Sequence, residues 1–158
     1  MEKNIENLHV ILHGTLALRL KAQRCHWNVR GENFRSYHEL FQDLYEELDD
    51  GFDEIGEQIR ILDRTVEFES SRVTEALETL NSVARRQEYD MFEEGFEPDR
   101  QDLSMINHLY RLNKALSHII ENAIEDAPDA SALEDFLIER KREHDFHEYM
   151  LQSHLEGR

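Results

Sequence analysis

The chain has 158 residues with 35 acidic against 18 basic side chains, a formal net charge of −17 that disfavours nucleic acid phosphates and anionic membranes and favours cations as ligands. That length suits one domain, residues 1–158, and two prolines with six glycines supply too few turn signals for a strand-rich architecture. Cys25 alone cannot form an intramolecular disulfide, and no apolar run approaches the roughly 18 residues of a membrane span. Met1-Glu2-Lys3-Asn4 lacks the basic start of a signal peptide, so the expected setting is cytoplasmic.

Four long helices are predicted, an all-α chain. Leu8, Ile11, Leu12, Thr15, Arg19, Ala22 and His26 recur at steps of three and four, marking a first helix from about residue 4 to 29. A polar connection from Arg30 to Arg35 follows, with Ser36 and Glu39 spaced as a capping box. The second helix runs to about Asp63 and carries two stripes. Tyr37, Phe41, Leu44, Leu48, Ile55, Ile59 and Leu62 form a core seam, and His38, Gln42, Tyr45, Asp49, Phe52, Asp53 and Gly56 lie about a third of a turn round. The second stripe therefore needs a partner of its own.

From Arg64 to Asp99 the pattern weakens into a long crossover with a short helix around Val73 to Leu80. Leu103 through Ala123 mark a third long helix, stopped near Pro128, and Leu133 through His154 a fourth. Two helix pairs joined by a long crossover have the connectivity of a ferritin-like four-helix bundle. No phosphate-binding loop, dinucleotide fingerprint or nucleophile elbow is present.

Cys25-His26-Trp27-Asn28-Val29-Arg30-Gly31 with Phe34, then His38-Glu39-Leu40-Phe41, then Phe52-Asp53-Glu54-Ile55-Gly56-Glu57-Gln58-Ile59 resembles the Dps (DNA-binding protein from starved cells) miniferritin family. The resemblance covers nearly the whole chain, including Tyr149 to Leu155. It implies iron ligands at His26, His38, Asp53 and Glu57, with the oxidisable indole of Trp27 beside them. It further implies a hollow dodecamer that oxidises Fe(II), by preference with hydrogen peroxide, stores ferric oxyhydroxide and protects the cell from oxidative stress. One departure stands out: Gln42 occupies a position where many members have Asp.

The residues support such a site by themselves. Asp53 and Glu57 are one helical turn apart, and two imidazoles with two carboxylates suit a borderline divalent metal such as iron. One chain cannot close this set, because His38 and Asp53 are separated by roughly 22 Å along a continuous helix. Two copies of the second helix packed antiparallel would pair His38 with Glu57 and position 42 with Asp53 about one midpoint between residues 47 and 48, giving two equivalent sites. Gly56 on that stripe would allow close approach.

Blander roles stand beside these. Trp27 is either core or a neighbour of the site. His9 and His13 share a helix face and His144 and His147 form an HxxH, spacings that could each hold a metal; packing or solvation is the expected role of both pairs. Glu46-Glu47 and Asp49-Asp50 read as solvated faces, or as mineral-nucleating groups where they face a shell's interior, and Asp129 and Asp135 resemble the family's acidic pore region. Two other functions compete: a nucleoid-binding protein, or a structural shell or carrier with impaired ferroxidase activity. With only Lys3 ahead of the first helix and Arg158 beyond the fourth, no basic tail is available and direct DNA binding is not expected.

Overall fold

The computed structural model describes residues 1–88 and 101–155. Among these residues five helices follow in order: α1 (Glu2–Asn28), α2 (Phe34–Ile61), α3 (Ser70–Arg86), α4 (Gln101–Asp126) and α5 (Ala132–Leu155). There is no strand among the described residues. α1 packs along α2 and α4 along α5, α1 also meets α4, and α3 packs against α1 and α4, while α2 and α5 touch only sparingly. This is the expected ferritin-like bundle with a helix in the crossover. No helix among the described residues is long and apolar enough to cross a membrane.

The helical periodicity becomes burial. Leu8, Ile11 and Leu18 of α1, Phe41, Leu48 and Ile55 of α2, Ile106, Leu112 and Leu116 of α4, and Leu137 and Leu151 of α5 form one apolar core. Each large side chain there contributes about 1.5–3 kcal/mol by leaving water. The second stripe of α2 lies at its margin, with Tyr45 and Phe52 packed against it: His38, Gln42, Tyr45, Phe52 and Gly56 are only partly covered, and Asp49, Asp53 and Glu57 are exposed.

Two local expectations are corrected. The crossover helix is α3, 17 residues long rather than the short stretch around Val73 to Leu80, and it starts at Ser70. Expected crossover residues 89–99 lie outside the described residues. α2 starts at Phe34, not at a Ser36 cap: Gly31 turns the chain at φ +119, and Phe34 N–H donates to Gly31 O at 3.1 Å. Ser36 is consequently inside the helix, and Glu39 pairs with Arg35. A capping interaction does occur at α5, where Ser131 Oγ accepts from Glu134 N–H at 3.0 Å and Glu134 Oε1 from Ala130 N–H at 3.1 Å.

Glu47 is also not a freely solvated group. It accepts from both terminal nitrogens of Arg140, whose side chain is 2% exposed, and from His147 Nε2 at 2.6 Å, tying α2 to α5, which otherwise touch only sparingly. Burial alone would raise the Glu47 carboxyl, but the hydrogen bonds and charges of His147 and Arg140 hold it at about 2. Alongside, His144 Nδ1 donates to Asn113 Oδ1 at 2.8 Å and Asn113 Nδ2 donates to His144 O at 2.9 Å, joining α5 to α4. Complete burial, with the Arg140 and His147 charges nearby, pushes the His144 imidazole well below its ordinary range.

Gly51 makes the Arg140 position possible, since a Cβ there would overlap the guanidinium. A free arginine tip would swing aside at little cost, but this one is pinned by Glu47. Gly51→Ala should therefore destabilise the protein by about 1–3 kcal/mol through overpacking, despite alanine's better helix propensity. Chemical denaturation of the two proteins side by side checks this; an unchanged or raised midpoint would contradict it.

Candidate metal centre

His26 lies in the last turn of α1 and His38 in the second turn of α2, and the tight 29–33 connection sets their rings face to face, centroids 3.7 Å apart and 19° from parallel. Each ring bonds the other residue's backbone: His26 Nδ1 donates to His38 O at 2.8 Å and His38 Nδ1 to His26 O at 2.7 Å. A carbonyl can only accept, so both Nδ1 atoms carry a proton, and in the neutral form of each ring it is Nε2 that keeps the lone pair. Orienting a metal-binding imidazole through its other nitrogen is the usual way such a ligand is fixed. The bond to His26 O also satisfies one of the carbonyls left open at the α1 C-terminus. Phe34 stacks on His38 at 4.8 Å and Tyr45 meets His26 edge-on at 5.2 Å, so the pair is walled by aromatic rings.

Asp53 and Glu57 lie far along α2 on the same exposed stripe. A hydrogen bond with Asp53, and then the Asp53 charge, raise the Glu57 carboxyl above its ordinary range. They line an open cleft of about 620 Å³ with Leu12, Phe52, Gly56 and Val66. A Cβ added at Gly56 would meet nothing within 4 Å, so the helix surface there is open to close approach. The structure thus brings the four residues together as two pairs rather than one cluster. Among the described residues of one chain, no group of three or more His, Cys, Asp or Glu side chains could hold a metal.

Trp27 is 68% exposed, so the core alternative for it is wrong. Gln42 Nε2 donates to Glu46 Oε1 at 2.8 Å, leaving its carbonyl oxygen uncommitted. Asp129 and Asp135 are both exposed at the start of α5.

A family model described as a ferritin-like domain matches residues 5–157. The chain belongs to the ferritin-like domain family. Among solved structures it is similar to Dps from Microbacterium arborescens in its high iron form, with a TM-score of 0.75 and 26% identity over 96% of this chain and 91% of that one. It is similar also to Dps from Staphylococcus aureus, with a TM-score of 0.74 and 25% identity over 100% and 98% of the two chains. A nutrient stress-induced DNA-binding protein of a Nostoc species is 43% identical over 54 residues, 34% of this chain and 29% of that protein. The chain spans about a third of the length of the first curated relatives it matches.

Ferritin-like di-iron sites inside a bundle use Glu-x-x-His pairs. Glu6 and His9 have that spacing here, but Glu6 pairs with Arg72 at 2.6 Å and both ring nitrogens of His9 bond backbone groups. His144 and His147 are likewise buried in the Glu47, Arg140 and Asn113 contacts. Spacing alone did not reveal these bonds, because both partners of each are distant in sequence or belong to the backbone.

Proposed function

We propose that this member of the ferritin-like family binds and oxidises ferrous iron at sites shared by two subunits, and stores the ferric product inside a hollow homo-oligomer, a dodecamer, protecting the cell from peroxide. The observation that carries this reading is the split set. The corner between α1 and α2 presents two imidazoles, each oriented through its Nδ1, and the far end of the exposed α2 stripe presents two hydrogen-bonding carboxyls that one chain cannot bring to them. An antiparallel second copy supplies the missing half twice.

The chemistry follows from the donors. Two neutral nitrogens bind a ferrous ion without cancelling its charge, and two carboxylates favour the ferric product. Two ferrous ions, one hydrogen peroxide and two waters give two ferric oxyhydroxide units and four protons, and the pairing consumes both reagents of hydroxyl radical formation. Anaerobic ferrous titration of the purified oligomer, followed by separate additions of peroxide and oxygen, tests this; rapid oxidation by peroxide is expected. Failure to bind ferrous iron would overturn the reading. The net charge of −17 per chain argues against direct DNA contact at physiological salt.

Gln42 should make the two metal positions of a site unequal. Its neutral carbonyl replaces a charged oxygen, leaving two carboxylates for two dications, so one ion binds firmly and the second weakly. Gln42→Asp should tighten the second ferrous ion by roughly tenfold, the effect of one added charge in a partly screened site. If both proteins give the same two-site isotherm, position 42 acts only by orienting a neighbour.

A further inference from the structure

Between α2 and α3 the chain runs along α1, and two histidines of α1 hold it there. His9 Nε2 accepts the Glu67 N–H at 3.0 Å and His13 Nε2 accepts the Glu69 N–H at 3.2 Å. The spacing is matched: one helical turn separates the rings by roughly 6 Å, and alternate amides of an extended chain are roughly 6.6 Å apart. Glu69 is extended, at φ −130 and ψ 127. Each ring also bonds through Nδ1 to the carbonyl four residues back, His9 to Ile5 O at 2.9 Å and His13 to His9 O at 2.7 Å.

These four bonds admit one protonation state. The carbonyls can only accept, so each Nδ1 carries a proton; the amides can only donate, so each Nε2 is bare. A proton added at Nε2 would point one N–H at another. The buried rings can hold the strap as neutral imidazoles only.

The strap in turn borders the carboxylates. Val66 is one wall of the cleft that Asp53 and Glu57 line. Phe68 stacks on His13, with centroids 5.2 Å apart, and meets Phe52 edge-on at 6.2 Å, next to Asp53 in the chain. We propose that His9 and His13 are positioning residues for the Asp53–Glu57 half of the iron site: as neutral imidazoles they clamp residues 66–69 beside those carboxyls, and protonation releases that wall. The positioning role rests on the reading of Asp53 and Glu57 as iron ligands.

The surrounding charges leave the imidazoles as the groups that switch. From α1, Glu2 pairs with Arg64 and Glu6 with Arg72 of the strap and α3. From α2, Asp53, Glu57 and Arg60 line the cleft, and Arg60 donates to Arg64 O; the strap adds the exposed Glu67 and Glu69. α4 brings the apolar Leu116 against Gly14. Arginine stays charged from about pH 8 to about pH 5, and histidine is the side chain whose ordinary range lies there. Glu57, raised by Asp53, is controlled for by the variants below.

Amide hydrogen exchange of the metal-free oligomer, followed in peptides covering residues 64–70 and corrected for intrinsic rates, tests the clamp. In the wild type, protection of this segment should fall at least tenfold between about pH 8 and about pH 5, while α4 core peptides stay protected. His9→Gln/His13→Gln keeps a side-chain acceptor for each amide but cannot titrate, so its strap should stay protected at both pH values. His9→Leu/His13→Leu should exchange fast at both. A wild type without the step, or a Gln variant with the same step, would overturn the clamp. Cobalt(II), a redox-stable probe, tests the positioning at constant pH near 7.5: the Leu variant should bind roughly tenfold more weakly than wild type and the Gln variant within about twofold. Wild-type cobalt affinity in a fast-exchanging Leu variant would overturn the positioning role. No cobalt binding by wild type would overturn the iron reading and that role with it, and the exchange result separates this from failure of the clamp.

Discussion

Subunits carrying His26→Ala/His38→Ala, mixed with subunits carrying Asp53→Ala/Glu57→Ala, should regain about a quarter of wild-type ferrous oxidation although each alone is nearly inactive. Random pairing makes half of the two-fold dimers heterologous. Each of those has one site assembled from the two undamaged halves and one broken in all four ligands. An intrachain site cannot be rescued this way, since every subunit would keep its own defect. The crossed bonds between His26 and His38 keep that pair intact without help from Asp53 or Glu57, so the acidic double variant should retain a formed histidine half. Stopped-flow oxidation of unmixed and co-refolded samples, with mixing verified by native mass spectrometry, gives the answer; no recovery in a verified mixed oligomer would rule out a shared site.

The features that periodicity encodes were legible and those that depend on tertiary hydrogen bonds were not. Residues recurring at steps of three and four announce α1, and seven apolar ones the core face of α2, because burial on one side of a helix leaves a repeating trace. The second stripe of α2 was legible for the same reason, and it remains only partly covered in the single chain. Ser36 and Glu39 had the spacing of a capping box, yet the Gly31 turn let the helix begin earlier. Glu47 looked like one of several surface acids, since nothing local distinguishes it from Glu46. Its distinction comes from Arg140 and His147, about a hundred positions later, and from Gly51, whose missing Cβ admits the guanidinium. His9 and His13 were seen to share a face, but their partners are backbone amides, which every residue except proline carries and no sequence pattern marks.

Removing the Glu47 carboxylate should cost more stability than any other single change to a polar side chain of the bundle, about 3–5 kcal/mol for Glu47→Ala. The loss does not measure an attractive bond so much as what is stranded. Arg140 at 2% and His147 at 7% side-chain exposure would keep a guanidinium and an N–H donor with neither partner nor water. Replacing both charged partners, as Glu47→Leu/Arg140→Met, should therefore be milder than Glu47→Ala alone, a non-additivity that a double-mutant cycle by urea denaturation at fixed protein concentration would display. The pH dependence has a definite sign. The Glu47 carboxyl lies at about 2 in the fold against an ordinary 4.5, so its stabilisation is present above about 4.5 and is lost as the pH falls toward about 2. His144, buried neutral with its imidazole pushed down, adds a loss that begins higher, as the unfolded chain takes up protons below about 6.5. Glu47→Gln keeps the shape and removes the charge. It should be less stable than wild type at neutral pH, and the gap should close as the pH falls from about 4.5, where the unfolded carboxyl takes up its proton, toward about 2, where the folded one does, whereas the His144 limb persists in both proteins. A gap that stays constant down to the acid transition would mean that Glu47 acts through packing and neutral hydrogen bonds rather than as the counter-charge of Arg140.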